Sequence, residues 1–323
     1  MSKFIHVAIG STMSKPGDVA GNLDQIASFA RRAGADHADL LLTPEMSASG
    51  YGSYPEALAT AEVAGEGPIY RELARLATET GVTLLAGFVE ACKDKKYLAH
   101  YVVYPNGAFV VQRKHRRTPA EQPLDTMVEL THRDEADYIG QPVGPLYFNY
   151  FEVKGVRCGI TICADGGIDN ISRIFAENGV ELMLGPAGAG GERKDRVTTE
   201  DLRTEVGRKK YLQVLEMVFF PSPHEAVIDC IKHGRAHAAI NQCGYDGQKM
   251  YHLGHGVITN PMGEVLALVH GYPNIDRQKA AYTHAEIDVE DRLWAPAEGA
   301  QGLGGWGFRL LSPRVETKRI ERT

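Results

Sequence analysis

One cysteine stands where the sequence pattern predicts the end of a strand, in a position suited to covalent catalysis. Cys163 follows the predicted strand Val156 to Ile162, and a glycine-containing turn then leads toward a helix. A sharp turn from a strand into a helix exposes the side chain and leaves backbone N–H groups free to bind a developing oxyanion. Cys163 is therefore a candidate nucleophile. The alternative is a small buried core cysteine, the commonest setting of a free cysteine.

Glu45 and Lys114 are candidate partners for such a nucleophile. Glu45 lies just past the predicted buried strand Leu40 to Leu42, at the edge where open α/β sheets bind ligands, so its carboxylate could accept a thiol proton. A capping or surface glutamate is the alternative. Lys114 lies in a basic run after the strand Phe109 to Gln112, which is costly unless acidic groups or an anion lie nearby. Glu121 could supply the acidic partner; a solvated basic loop is the alternative.

Two other groups of residues are weaker candidates. Cys230, His233 and His237 fall at helical spacing, but no fourth ligand is evident and the spacing matches no zinc pattern. The segment Gly185 to Gly191 follows a strand but has neither the dinucleotide-binding order nor the ending of a phosphate loop. We therefore expect no metal and no cofactor, and interpret the glycine-rich segment as a loop beside an active site.

The elements that position these residues alternate between strands and helices, which is typical of an α/β protein. The predicted strands include Ile5 to Ile9, Leu40 to Leu42 and Val82 to Val89, separated by helices that end at Gly34 and Gly81. Three hairpins are predicted at Tyr101 to Gln112, Tyr147 to Ile162 and Gly256 to Val269, and a helix at Ile168 to Asn178. No low-complexity linker interrupts residues 1–292, which predicts one continuous domain with insertions at Glu121 to Gln141 and Glu192 to Phe220.

Composition excludes several classes of protein. The 323 residues are 43% hydrophobic and 24% charged, which is enough apolar surface for a sizeable core. A net charge of -6 argues against nucleic-acid binding, and no apolar run approaches the roughly 18 residues of a membrane span. Five scattered cysteines do not form a disulfide framework, and no secretory leader is evident, so we expect a cytoplasmic protein.

Taken in order, the motifs resemble those of the nitrilase, or carbon-nitrogen hydrolase, superfamily, whose members share a Glu-Lys-Cys triad. The resemblance rests on short segments spread over most of the chain: Gly17-Asp18-Val19, Asn22-Leu23, Ala38 to Glu45, Ser49-Gly50-Tyr51, Arg113-Lys114-His115, Gly159 to Asp165, Asn241 to Gly244, Gly254 to Ile258 and Pro261 to Val265. Each segment is modest alone, but their order and separations together are specific.

The resemblance implies a fold, an assembly and a role for each site residue. The fold would be an α-β-β-α four-layer sandwich that forms homodimers or larger homo-oligomers, with the tail 293–323 wrapped around a neighbouring subunit. Glu45 would accept the thiol proton of Cys163, while Lys114 and the backbone N–H of Ala164 would stabilise the oxyanion. A second glutamate, Glu121 or alternatively Glu135, would orient the lysine.

Departures from the family pattern narrow the expected substrate. An arginine four positions after the cysteine is replaced by Gly167, which argues against an anionic substrate group bound there, and Ala164-Asp165 replaces the tryptophan-glutamate pair of true nitrilases. The sequence therefore predicts hydrolysis of a small amide or carbamoyl compound through a thioester. A nitrilase, a metal-dependent hydrolase and a non-catalytic binding or scaffold member of the fold are the alternatives.

Overall fold

A computed structural model describes residues 2–131, 139–192, 196–214, 223–271 and 274–295. The helices of these ranges are α1 (Val19–Ala35), α2 (Pro55–Leu58), α3 (Pro68–Thr80), α4 (Ile171–Glu177), α5 (Glu205–Val214) and α6 (Pro223–His233). The strands are β1 (Phe4–Ser11), β2 (Leu40–Leu42), β3 (Thr83–Cys92), β4 (Lys95–Val103), β5 (Phe109–Arg113), β6 (Glu129–Leu130), β7 (Pro142–Val143), β8 (Phe151–Val153), β9 (Val156–Ile160), β10 (Leu182–Ala187), β11 (Gly190–Glu192), β12 (Ala236–Asn241), β13 (Cys243–Tyr245), β14 (Met250–Leu253), β15 (Gly256–Thr259), β16 (Val265–Val269) and β17 (Ala281–Asp288).

Local sequence signals account for the first helices. The Asp18 side chain caps α1 by accepting a hydrogen bond from the Gly21 N–H at 3.0 Å. Helix α3 begins with Pro68, whose fixed φ suits the first helical position, and ends at Gly81, whose φ of +72° is the left-handed conformation that closes a helix. The boundaries of α3 agree with the sequence prediction, whereas α1 continues through the predicted stop at Gly34 and ends at Ala35.

Two large sheets form the centre of the molecule. Within the described residues, one has the strand order β17-β1-β2-β3-β4-β5 and the other β16-β15-β12-β10-β9-β8. Buried side chains of both sheets, such as Ile9 and Leu42 from the first and Ile160 and Leu184 from the second, form one shared hydrophobic core. Helices α1 and α3 pack on the outer face of the first sheet. Helices α4 and α6 cover the second, so the α-β-β-α sandwich is confirmed.

The structure departs from the sequence prediction at two places that matter for the site. The helix expected from Ile168 begins at Ile171, because the chain first forms a 3-10 turn over Cys163–Gly167. Strand β17 was not predicted, yet it pairs antiparallel with β1 along its whole length, from Phe4 opposite Asp288 to Ser11 opposite Ala281. Its pairing partner lies at the other end of the chain, so no local pattern reports it. No helix in the described ranges is long and apolar enough to cross a membrane.

Candidate active site

Glu45 lies in the turn that follows β2. Its side chain is fully buried, and one oxygen, Oε1, accepts a hydrogen bond from Lys114 Nζ at 2.5 Å. The other oxygen, Oε2, is buried without a hydrogen-bond partner among the described residues. The turn packs tightly on β3, since a Cβ on Gly87 would come within 2.1 Å of the Met46 backbone nitrogen. Only a glycine at this point of β3 lets the turn hold Glu45 so close to the sheet.

Lys114 is placed by the end of β5 and joins two carboxylates. Its backbone N–H donates to the Leu98 carbonyl at 2.8 Å, which continues the pairing of β5 with β4. The Lys114 side chain is 2% exposed, and besides Glu45 its ammonium group binds Glu121 Oε1 at 2.6 Å. A solvated basic loop is therefore wrong for Lys114: the lysine is one charge between two buried carboxylates.

Glu121 lies in the segment that the sequence marked as a polar insertion, but it is fully buried. Its Oε1 also accepts the Tyr51 hydroxyl at 2.8 Å, and its Oε2 accepts the Thr118 N–H at 2.8 Å. Three bonds around one carboxylate, counting the ion pair with Lys114, fix its position. The contact expected between Lys114 and Glu121 is thus present, while the alternative Glu135 lies outside the described residues.

Cys163 sits at the first position of the 3-10 turn after β9, with a φ of +48°. A positive φ is uncommon for a residue with a Cβ and is strained, and such residues cluster at functional sites. The residue is partly exposed and lines a cavity, whereas the core cysteine that the sequence left open would be buried. The adjoining Ala164 N–H belongs to the start of a helical turn, where N–H groups lack partners within the turn.

Asp165 ties the turn that carries Cys163 to the segment that carries Lys114. Its buried carboxylate accepts the backbone N–H of His115 at 3.0 Å and that of Arg116 at 2.7 Å. The Arg116 guanidinium returns to the same turn, where Nη1 donates to the Ala164 carbonyl at 2.7 Å. These contacts join two segments that are about fifty positions apart in the sequence.

Removing the Asp165 carboxylate should therefore loosen both segments. We expect Asp165→Ala to lower the free energy of unfolding by about 2 to 5 kcal/mol, because two buried N–H groups lose their acceptor. Asp165→Asn keeps one accepting oxygen and should lose less. Urea unfolding measures the difference. An alanine variant as stable as the wild type would show that Asp165 does not hold these segments together.

Burial and neighbouring charges set the protonation of the site. Burial raises the pKa of the Glu45 carboxyl to about 7, Lys114 opposes this increase, and repulsion from Glu121 adds to it. Burial also raises the pKa of the Cys163 thiol above its ordinary range, and Glu45 raises it further, although Lys114 lowers it. For Lys114, burial disfavours the charged form, but Glu121 and Glu45 outweigh burial and raise the pKa of the ammonium. The resting site therefore holds a protonated thiol beside a carboxylate that titrates near neutral pH.

The turn after Cys163 contacts a positive charge, that of Arg116, although Gly167 stands in place of the arginine of the family pattern. A Cβ on Gly167 would lie 2.5 Å from Arg116 Nη1, so the guanidinium of Arg116 occupies the space that a longer side chain would need. Besides the Ala164 carbonyl, this guanidinium donates to the carbonyl groups of Gly140 and Ile139. Its hydrogen bonds hold the walls of the turn, which is a structural role that the sequence did not indicate.

A cavity of about 600 Å³ begins beside Cys163 and extends between the second sheet and helices α4 and α6. Most of its wall is apolar, with Ile171, Met183 and Ala239 among the lining residues, and its volume lies in the range of small-molecule sites. His237 also lines this cavity rather than joining a metal cluster. Among the residues that the structure describes, no group of three or more His, Cys, Asp or Glu side chains is arranged to hold a metal ion.

Three site residues could not be assigned from local sequence patterns. Tyr51 was noted only as part of a motif, and Asp165 only as a family feature, whereas both bind other members of the site. His252 is fully buried on β14, and its ring meets the Tyr51 ring edge-on at 5.4 Å. The segment interpreted as a glycine-rich loop beside the active site is shorter than expected, because Gly185 to Ala187 continue β10, but Gly188 packs against Tyr51.

Comparisons with known proteins agree with this architecture. The sequence profile of the carbon-nitrogen hydrolase family matches residues 6–217, about two thirds of the chain. The chain belongs to the carbon-nitrogen hydrolase family. A hydrolase encoded in the 5' region of pqqF in Pseudomonas protegens is 30% identical over 57% of this chain and 59% of its own length, so the match spans less than two thirds of that relative. A protein of Schizosaccharomyces pombe named probable nitrilase is 24% identical over 85% of each chain.

Solved structures show the same fold. The amidase of Nesterenkonia sp. AN1, solved as a complex with butyramide, superposes with a TM-score of 0.62 and 19% identity over 92% of this chain and 93% of that one. At this level of identity the likeness to the amidase shows the fold alone, and the family is shown by the sequence profile. The names of the Schizosaccharomyces pombe protein and of the Nesterenkonia amidase refer to different bonds, a nitrile and an amide.

Proposed function

We propose that this carbon-nitrogen hydrolase cleaves a small amide or carbamoyl compound through a thioester on Cys163. The observation that carries the proposal is the contact of Lys114 with both Glu45 and Glu121, near a cysteine that is held at a positive φ and interacts electrostatically with all three. A nucleophile next to a base that is itself oriented by a third group is the arrangement that covalent catalysis requires. The mostly apolar cavity beside Cys163 suits a small, neutral acyl group.

Each proton of the proposed cycle has a donor and an acceptor. Glu45 accepts the thiol proton as the Cys163 sulfur attacks the carbonyl carbon, and the oxyanion forms beside the Lys114 ammonium and the Ala164 N–H. The intermediate collapses when the C–N bond breaks, and protonated Glu45 gives its proton to the leaving ammonia or amine. Water then attacks the thioester and passes a proton to Glu45. Breaking the C–S bond releases the acid, and the proton returns to the sulfur.

A panel of paired substrates tests the proposal. The same acyl group is offered as an amide, a carbamoyl compound and a nitrile, and released ammonia is measured. We expect turnover of the amide or carbamoyl compound to exceed that of the nitrile, since the tryptophan-glutamate pair of true nitrilases is replaced by Ala164-Asp165. Preference for the nitrile would favour the nitrilase alternative. No turnover of any substrate, together with an unreactive Cys163, would favour a non-catalytic member of the fold.

The pH dependence of kcat/KM should report the Glu45 carboxyl. Burial raises the pKa of Glu45 to about 7, and only its ionised form accepts the thiol proton. Activity should therefore level off above that pH and fall about tenfold per unit below it, because each unit removes nine tenths of the remaining carboxylate. Steady-state kinetics between pH 5 and 9 measure this limb. A flat profile down to pH 5 would exclude Glu45 as the base.

We also propose three properties of the whole protein. The chain forms a homo-oligomer held by the tail 293–323, residues 1–292 form one continuous domain, and the protein is cytoplasmic. The tail lies outside the described residues from position 296 onward, and the indole N–H of Trp294 donates to the Lys232 carbonyl at 3.2 Å.

A further inference from the structure

The cavity beside Cys163 has a floor of small residues from the second sheet. Gly185 on β10 and Ala239 on β12 line it. Their neighbours Leu184 and Ala238 belong to the shared hydrophobic core. Because successive side chains of a strand point to opposite faces, the floor belongs to the face of the sheet that α4 and α6 cover. Side chains this small leave space between the sheet and the helices.

One end of this cavity lies at the candidate active site, and the other lies two strands away. Thr118 and Cys163 line the first end, and His237 lines the other. His237 pairs with Met183 on β10, which pairs with Gly159 on β9, four positions before Cys163. At about 3.3 Å per residue and about 4.8 Å between strands, the backbones of Cys163 and His237 lie on the order of 15 Å apart. A group held at His237 is therefore remote from a carbonyl carbon that reacts with Cys163.

The His237 ring can meet a ligand through one of its two nitrogens. Nδ1 is buried without a hydrogen-bond partner among the described residues. Nε2 lies over the cavity floor, since a Cβ on Gly185 would come within 3.2 Å of it and Gly185 lines the cavity. A neutral imidazole nitrogen donates or accepts a hydrogen bond according to the tautomer. Nε2 is thus a polar atom at the floor of a mostly apolar cavity.

A fully buried arginine joins two further polar residues of the cavity wall, Asp229 of α6 and Ser172 of α4. Arg235 Nη2 and Nε donate to Asp229 Oδ2 at 2.7 Å and 3.2 Å, and Nη1 donates to the Ser172 carbonyl at 2.8 Å. Both contacts with the carboxylate use Oδ2, and the Asp229 side chain is 21% exposed. Oδ1 therefore remains outside the contacts with Arg235.

The end of the cavity formed by Ser172, Asp229 and His237, the polar end, carries no net charge. Burial raises the pKa of Asp229, but Arg235 and a hydrogen bond from the Ser172 side chain lower it to about 2, so the carboxylate is ionised. The Arg235 guanidinium compensates this charge. Burial lowers the pKa of His237 to about 4, so the ring is neutral at neutral pH.

This balance of charge selects the kind of group that fits the polar end. A carboxylate or ammonium would lose its water without gaining an uncompensated opposite charge. An apolar group would exclude water from Asp229 and His237 and offer them no hydrogen bond. A hydroxyl or an amide is uncharged and both donates and accepts, so it avoids both costs.

We propose that Ser172, Asp229 and His237 form a subsite that binds an uncharged hydrogen-bonding group, a hydroxyl or a second amide, at the far end of the substrate's acyl chain. The group donates to Asp229 Oδ1 and pairs with His237 Nε2, while the chain lies along the apolar floor. The inference rests on the proposed function in taking an amide as the substrate, and it names the class of the acyl group.

A series of primary amides with acyl chains of graded length tests the subsite. At each length the chain ends in a methyl group, a hydroxyl, a carboxylate or an ammonium group, and kcat/KM is measured by ammonia release. At the best length, we expect the hydroxyl-ended amide to exceed the methyl-ended one by at least about tenfold, because it hydrogen-bonds a charged partner. Both charged ends should react more slowly than the hydroxyl.

Variants of His237 show whether this preference comes from the subsite. His237→Leu removes both ring nitrogens, so the ratio of kcat/KM for the hydroxyl-ended to the methyl-ended amide should fall to within about twofold of one. His237→Gln keeps a donor and an acceptor and should retain most of the ratio. If His237→Leu does not fold, Gly185→Ala displaces the ring by its new Cβ and should lower the ratio in the same direction.

His6→Leu is the matched control. His6 is also a partly exposed strand histidine, but it lies on β1 and its Nε2 contacts His284 Nδ1 at 2.7 Å. Its ratio should equal that of the wild type even if the variant is less stable, since a ratio of two substrates does not depend on the amount of folded protein.

The outcomes separate this inference from the proposed function. Turnover of the amides with no preference for the hydroxyl, a preference for a charged end, or an unchanged ratio in His237→Leu would overturn the subsite and leave the proposed function standing. If no amide is turned over, the proposed function fails, and calorimetric binding of the hydroxyl-ended and methyl-ended amides to the wild type and His237→Leu still decides the subsite. Equal affinities in the wild type would then overturn it.

Discussion

Replacing Cys163 by alanine should lower kcat/KM for an amide substrate by at least about 10⁴-fold, since loss of the nucleophile in a covalent mechanism removes nearly all of the chemical rate enhancement. The protein should still fold, because the residue is partly exposed and the turn is held by other contacts, such as those of Asp165. Alanine at this position removes the sulfur and keeps a Cβ. Steady-state ammonia release measures the loss, and circular dichroism checks the fold.

Cys92→Ala is the matched control for this variant. Cys92 is also a partly exposed free cysteine, and it lies at the end of β3, where it interacts with Arg113. We expect its activity to stay within about twofold of the wild type, as is usual for changes away from the reacting atoms. Equal activity of the two variants would remove Cys163 from the mechanism.

Replacing Glu45 by glutamine should lower kcat/KM by about 10² to 10⁴-fold, the range that a positioned general base contributes. Glutamine keeps the size and one accepting oxygen for Lys114, but it cannot take the thiol proton. The ammonium remains paired with Glu121, so the site keeps one of its two ion pairs. The acid limb of the pH profile should also disappear from the residual activity, because Glu45 no longer titrates.

Glu90→Gln tests whether this loss comes from the base or from a broken buried ion pair. Glu90 is 6% exposed and binds Arg113, the residue before Lys114, through Nε at 2.6 Å and Nη2 at 2.8 Å. Glu90→Gln removes the carboxylate that pairs with Arg113 on β5, and Glu45→Gln removes one that pairs with Lys114 just after β5. Both variants should therefore lower the free energy of unfolding. Only Glu45→Gln should lose most of its turnover. A similar loss of kcat/KM in the two variants would indicate that Glu45 acts through stability alone.

The main elements of the first sheet could be predicted because their patterns are local. The strand Leu40 to Leu42 and the helix from Pro68 to Gly81 are bounded by residues with fixed conformational preferences, and the structure has them at the predicted positions. Strand β17 could not be predicted in the same way. Its sequence is half-exposed and it pairs with β1, which lies more than 270 residues earlier in the chain.

The residues of the candidate site also differ in whether a local pattern or a long-range contact identifies them. Cys163, Glu45 and Lys114 each follow a predicted strand, which made them candidates. Their local patterns suited other roles equally well, and the order of the motifs, which resembles that of the carbon-nitrogen hydrolase superfamily, joined them in one site. Tyr51, Asp165 and His252 act through contacts with segments about 50 or more residues away, as in the bonds to Glu121, to the His115 N–H and to the Gly188 carbonyl. Such pairings depend on how the sheets pack and leave no periodic signal.

Burial is the property of the site that sequence reasoning missed most clearly. Lys114 stands in a run of basic side chains, which is typical of a solvated loop. Its side chain is nevertheless only 2% exposed, because two carboxylates compensate the buried charge of the ammonium. Glu121 lies in a polar segment without periodicity and is fully buried. A buried charge needs a partner from elsewhere in the chain, and only the folded arrangement reveals which partner it has.

Peptide mass mapping of the acyl-enzyme tests the central claim most directly. The wild-type protein is mixed with an excess of a small amide, quenched in acid within a turnover and digested, and each cysteine-containing peptide is weighed. Cys158 and Cys163 share one peptide after tryptic digestion, so this peptide is also fragmented. We predict that the mass of the acyl group lies on Cys163 and that Cys92, Cys158, Cys230 and Cys243 stay unmodified. Turnover of the amide with the acyl group on another residue, or with no adduct at any time before steady state, would contradict the thioester mechanism at Cys163.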